Sequence, residues 1–165
     1  MAEVDRVATF VEQWRRERPD LDPSPMAVIG RMRRISDDFT AALVANYRRF
    51  GIGEGEFDVL CALRRAGAPF ALHPRELAEH TMVTAGATSK RVDRLEAAGL
   101  VVRQARADDG RGRVVTLSPE GRRLIDEAYP AHLELEDGLL APLSQEEREQ
   151  LEALLRKLVA GNDPG

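Results

Sequence analysis

Apolar positions recur along this chain with two different periods, and the periods mark out its elements. Val4, Val7, Ala8, Val11 and Trp14 fall on one stripe at the spacing of an amphipathic helix. "RPDLDPSP" breaks that helix, with Pro19, Pro23 and Pro25 as punctuation. A long helix is predicted from about Pro25 to Phe50, with Met26, Ile29, Met32, Ile35 and Phe39 on one side and Gly51 as its stop. "EGEFDVLCALRRAG" reads as a third helix closed by Gly67. In "HPRELAEH", Pro74 suits a first helical position, and the segment has room for no more than two turns. "TMVT" then turns the chain, with Thr84 as N-cap of a helix running to about Ala98.

After Gly99 the period changes. "LVVRQARADDGRGRVVTL" reads as a hairpin, with arms at Leu100 to Ala105 and Val114 to Leu117 around an Asp-Gly turn region. Ser118 and Pro119 open another helix, and Ser144 with Glu147 stands at capping-box spacing for the last one. Helix, short helix, turn, helix and hairpin together predict a mainly α fold with a small β-hairpin wing: a winged helix-turn-helix over residues 51–118. Helices flank it at 1–50 and 119–165. Their apolar stripes exceed what a small central domain can cover, which predicts a homodimer joined through the N- and C-terminal helices.

Composition narrows the class. With 43% hydrophobic and 32% charged residues, the chain falls among ordinary globular proteins and outside the disordered class. No apolar run approaches the roughly 20 residues that span a bilayer, so no membrane association is expected. "MAEVDRVATF" carries acids where a signal peptide carries a basic region, and the single cysteine, Cys61, permits no internal disulfide; both point to the cytoplasm.

The net charge of −4 argues against a protein coated in nucleic acid, but the charges are segregated. Between Thr84 and Arg113 seven bases (Lys90, Arg91, Arg94, Arg103, Arg106, Arg111, Arg113) stand against four acids (Asp93, Glu96, Asp108, Asp109). From Pro119 to Gly165 eleven acids stand against five bases. The basic surplus is local, the layout of a binder with one nucleic-acid face.

Other chemistries find no footing. His73, His80 and His132 lack cysteine neighbours or HxxxH spacing, so no metal is expected. No nucleophile is paired with a base and no loop cradles phosphate, which excludes an enzyme and a cofactor. Cys61 lies at an apolar helix position with no second cysteine to resolve it, and reads as a structural thiol rather than a peroxide sensor.

A helical wheel places the candidate contacts. With Val92 and Leu95 inward, Gly86, Ser89, Lys90 and Asp93 point outward. Ser89 and Lys90 then reach bases or phosphates in a major groove, Gly86 allows close approach, and Thr84 meets a phosphate at the helix start. Arg111 and Arg113 at the hairpin tip suit the adjacent minor groove. Arg91 leans inward, where a guanidinium requires a carboxylate partner; Asp58, the lone charge within "FDVLCAL", is the candidate.

Thr84 to Leu100 followed by "RADDGRGRVVTLSPEG" resembles the recognition helix and wing of the MarR family of transcription regulators. The matching run is Asp109, Arg111, Val114 to Leu117, Ser118 and Gly121, and the likeness covers about residues 26–160. The resemblance implies a repressor that binds a pseudo-palindromic double-stranded operator as a homodimer. Trp14, Asp58, Arg91 and Arg103 further resemble the urate-responsive, PecS-type branch of that family. It implies a site for a small anionic ligand such as urate or xanthine, stacked near Trp14 and paired with Arg91, that disturbs an Asp58–Arg103 or Asp58–Arg91 contact and releases DNA. A small carboxylate satisfies the same arginine, and a packing role for Trp14 with a purely structural Asp58–Arg91 pair stands beside these readings. The rival for the whole chain is a dimeric small-molecule-binding or scaffold protein whose winged domain lacks DNA activity.

Overall fold

The structure, a computed structural model, describes residues 5–81, 85–105 and 113–162, with 85–87 and 105 described by backbone alone. It divides into two compact units, residues 1–45 and 46–165.

In the first unit, helix α1 (Arg6–Glu17) begins at Asp5, whose Oδ1 accepts from the backbone N–H groups of Val7 and Ala8 at 3.1 and 3.2 Å. Its other carboxylate oxygen accepts from Nε of Arg31 on α2 (Ser24–Arg49) at 3.1 Å. Val7 and Val11 are buried, and Gly30 of α2 is what lets α1 approach: a Cβ there would stand 3.1 Å from a Val7 methyl. The proline-rich break is held locally, by an ion pair of Arg18 with Asp20 and by Asp22 accepting from the Ser24 N–H at 2.9 Å. The rest of the apolar stripe is exposed: Val28, Ile29 (62%), Met32 and Ile35.

The second unit is built on α3 (Glu54–Arg65). Around it lie β1 (Ala71–Leu72), α4 (Pro74–Glu79), α5 (Ala85–Ala97), β2 (Val101–Ala105), β3 (Arg113–Leu117), α6 (Pro119–Leu139) and α7 (Gln145–Asn162). Val59, Leu60 and Leu63 of α3 meet Leu77 of α4, Val92 and Leu95 of α5, Val101 and Val115 of the sheet, and Ile125 of α6 in one buried core. Each such side chain contributes about 1.5–3 kcal/mol by leaving water. The sheet has three antiparallel strands in the order β1-β3-β2, not the two of a bare hairpin. The added strand pairs Ala71 with Thr116 and Leu72 with Val115; two residues carry no periodicity that a sequence reading detects.

The junction from α5 through the wing to α6 explains the Leu-Ser-x-x-Gly run. Gly99 takes φ +73°, and the Leu100 N–H closes back on the Leu95 carbonyl at 2.9 Å. Ser118 then joins three segments. Its N–H donates to the Leu100 carbonyl (3.0 Å), its hydroxyl donates to the Gly99 carbonyl (2.7 Å), and Oγ accepts from the Gly121 N–H (2.9 Å). Gly121 is bare because a Cβ there would stand 1.9 Å from the Leu100 carbonyl oxygen. The final helix opens with the expected box, Ser144 N–H to Glu147 at 2.8 Å and Glu147 N–H to Ser144 Oγ at 3.3 Å. No residue of α7 is buried, and Leu154, Leu158 and Val159 face solvent.

Candidate nucleic-acid interface and effector site

A short helix and a longer one form the helix-turn-helix, and their seam is polar at its centre. His73 caps α4, accepting from the Arg75 N–H at 3.3 Å, while Glu76 takes the His73 N–H at 2.7 Å. Buried Thr81 donates to the Leu77 carbonyl at 2.9 Å, and its oxygen lies 3.4 Å from that of buried Thr88 on α5. Val92 and Leu95 are buried, and the opposite face exposes Ser89, Lys90, Asp93 and Arg94. Arg113 is exposed at the first position of β3, opposite Ala105 of β2. Gly86 lies within α5, and Thr84 and Arg111 lie outside the described residues.

Arg103 is placed differently from expectation. No Asp58–Arg103 pair forms: the Arg103 guanidinium bonds Asp93 with one nitrogen and Glu96 with the other, and its backbone N–H donates to Glu96 at 3.1 Å. The reason is topological. Gly99 folds β2 back along α5, so the nearest carboxylates belong to α5 itself, whereas Asp58 lies on α3. Burial works against the Arg103 charge, but the Asp93 and Glu96 hydrogen bonds outweigh it and raise its pKa.

Arg91 does turn inward. Its side chain is 20% exposed and lies against Gly55, where a Cβ would stand 2.1 Å from Nε. Nη1 is buried without a hydrogen-bond partner among the described residues, and the Asp58 carboxylate is 3.9 Å away. That separation exceeds a hydrogen bond and leaves only a loose ion pair. Burial pushes the Asp58 carboxyl above its ordinary range, and Arg91 pulls it only part of the way back. One turn along α5, Arg94 makes the tight counterpart, with Nε 2.6 Å from a Glu56 oxygen; the other Glu56 oxygen accepts from the Gly53 N–H at 3.0 Å. The recognition helix therefore docks on α3 through one firm ion pair and one unfinished one. Sequence reasoning passed over Gly55, Glu56 and Arg94; a glycine inside a helix, three residues before Asp58, was the available signal.

The remaining candidates are accounted for locally. Trp14 is half-exposed in the first unit and lines a cleft of about 340 Å³ with Arg18, Leu21, Pro23 and Met26. Burial pushes the Cys61 thiol up to about 12, aided by the Asp58 charge. His132 lies within hydrogen-bond reach of the Tyr47 hydroxyl (3.1 Å) and 3.2 Å from Glu136. Among the described residues no group of three or more His, Cys, Asp or Glu could hold a metal. Among the described residues, too, no helix is long and apolar enough to cross a membrane.

A family model described as MarR family matches residues 50–112. The HTH-type transcriptional regulator PecS of Dickeya dadantii is 39% identical over 158 residues, covering 96% of this chain and 95% of the relative. The chain belongs to the MarR family. Its fold is similar to a mutant MarR from Escherichia coli complexed with operator DNA (25% identity, TM-score 0.72, 83% of this chain and 96% of that one). It is also similar to Bordetella bronchiseptica BpsR, whose DNA binding is regulated by 6-hydroxynicotinic acid (27% identity, TM-score 0.69, 79% and 93%). As a MarR-family protein it is a winged helix-turn-helix, DNA-binding transcription regulator and not an enzyme. The rival of a scaffold without DNA activity gives way to that membership.

Proposed function

We propose that this MarR-family regulator is a homodimeric, cytoplasmic repressor that reads a pseudo-palindromic operator and releases it on binding a small anionic ligand, with urate or xanthine as the ligand class. The observation that carries the ligand reading is the Arg91 guanidinium: aimed inward, with Nη1 buried and unbonded, and 3.9 Å from its carboxylate. Such a group costs several kcal/mol unless an anion completes it. A urate anion offers a planar, charge-bearing acceptor edge to a guanidinium fork. Once bound, it repels Asp58, already raised by burial, and dissolves the loose half of the α3–α5 docking. The recognition helix then turns about the Arg94–Glu56 pair, and Ser89 and Lys90 lose their register on DNA. Reversing a 99:1 population needs about 5.5 kcal/mol of differential binding, a scale that one buried charge-assisted contact and one broken ion pair approach. Trp14 joins this reading through the resemblance to the urate-responsive branch.

On the DNA side, Ser89, Lys90, Gly86 and Thr84 serve the major groove and Arg111 and Arg113 the minor groove, two copies reading two half-sites. The apolar faces left open on α2 and α7 supply the surface for pairing. A carboxylate effector is the second reading. BpsR, similar in fold, answers to an aromatic carboxylate, and the same guanidinium accepts one.

The test is a mobility shift on DNA upstream of the protein's own gene, titrated with urate, xanthine and citrate. Release by urate or xanthine at micromolar to low millimolar levels supports the purine reading. Release by citrate alone replaces it with the carboxylate reading, and specific binding that none of the three disturbs removes both.

A further inference from the structure

Among the described residues, the ion pairs of Arg103 are with α5 and not with Asp58. Arg103 is 22% exposed, both ends of its guanidinium are taken by carboxylates of α5, and its backbone N–H is held by one of them. We infer that Arg103 is a positioning residue of the DNA-binding face, offsetting one of the two negative charges that Asp93 and Glu96 place on the recognition helix and fastening the wing to it. The inference rests on the DNA-reading face proposed above.

Asp93 is 60% exposed and follows Ser89 by four residues and Lys90 by three, one helical turn along the same exposed face. Glu96 lies a further turn on. Two bare carboxylates there stand within about one Debye length of backbone phosphates and repel them. One guanidinium bonded to both halves their combined charge, and its two ends are engaged by these carboxylates. The same clasp sets the wing. Arg103 pairs with Val115 across the sheet, and two residues further Ala105 pairs with Arg113, so pinning β2 to α5 fixes the direction in which Arg113 leaves the sheet. Major- and minor-groove contacts thereby move as one body.

Operator binding of the full-length protein is measured by fluorescence anisotropy across a salt series. The variants are Arg103→Gln, D93N/E96Q, the triple Arg103→Gln/D93N/E96Q, Arg103→Lys and Lys90→Ala. Arg103→Gln is expected to weaken binding about tenfold at low salt, with an unchanged melting temperature. Removing the two acids in the triple variant is expected to restore most of that affinity, which a merely structural role does not allow, and Arg103→Lys is expected to hold an intermediate value. The factor by which saturating urate lowers DNA affinity is expected to be the same in Arg103→Gln as in the wild type. A triple variant no better than Arg103→Gln overturns the charge offset. Wild-type DNA affinity with a lost urate response returns Arg103 to the effector site and overturns the inference. If Lys90→Ala binds like wild type, the DNA-face reading fails; if Lys90→Ala weakens binding while Arg103→Gln does not, that reading stands and the inference alone falls.

Discussion

Gly55 of α3 and Arg91 of α5 occupy one another's space: a Cβ on Gly55 would lie 2.1 Å from Arg91 Nε and 2.3 Å from Cζ. The guanidinium rests on bare backbone, which a flexible side chain can leave if a methyl arrives. Gly55→Ala is therefore expected to hold stability close to wild type, since Gly55 is the second residue of α3 and alanine adopts that helical backbone without strain. It should displace the cation and blunt release of DNA by urate. Arg91→Ala should blunt release in the same way with the fold intact. Thermal melts beside anisotropy titrations check both, and a Gly55→Ala protein with normal urate release removes Arg91 from the effector site.

Asp58 gives a pH signature. Burial raises its folded-state pKa above the unfolded value of about 3.9, so the stability tied to this group is fully present below about pH 4 and is lost as pH rises through the raised value. Asp58→Asn is thus expected to melt above wild type at pH 7, with the gap closing toward pH 4. Calorimetry at the two pH values decides it; a variant less stable at neutral pH shows that the Arg91 attraction outweighs burial.

The open apolar faces bear on assembly. Ile29 and Leu154 are 62% and 61% exposed in the single chain. Covering each side chain in a pair would contribute about 1.5–3 kcal/mol. Leu154→Glu with Leu158→Glu is expected to turn a dimer at micromolar concentration into a monomer in sedimentation velocity, with weakened operator binding. An unchanged sedimentation coefficient places the pairing surface elsewhere.

Gly121→Ala meets backbone rather than a flexible side chain, 1.9 Å from the Leu100 carbonyl oxygen. It is expected to cost about 1–3 kcal/mol or more, because α6 must withdraw from the strand that leads into the wing. A urea-melt midpoint equal to wild type contradicts that packing.

Cys61, raised to about 12, holds almost no thiolate at pH 8. Labelling of the native protein by a disulfide reagent is expected to run on the order of a hundredfold slower than after unfolding. Comparable rates in the two states reverse the assignment of Cys61 as a quiet structural thiol.

Periodicity and caps determined the element order from sequence, because a helix or strand signals itself within a few residues. Val92 and Leu95 came out inward, and Ser118 and Ser144 start helices as their neighbours imply. Helix ends moved by a residue or so, and β1 was invisible because two residues show no period. A wheel states which way a side chain leaves its helix, so the inward tilt of Arg91 was legible from spacing alone. It does not state which carboxylate comes within reach. The partners of Arg103 followed from Gly99 folding β2 along α5, and the seat of Arg91 followed from a missing Cβ on α3. Pairing depends on distances of a few ångströms between elements far apart in the chain, and only the packed tertiary structure sets them.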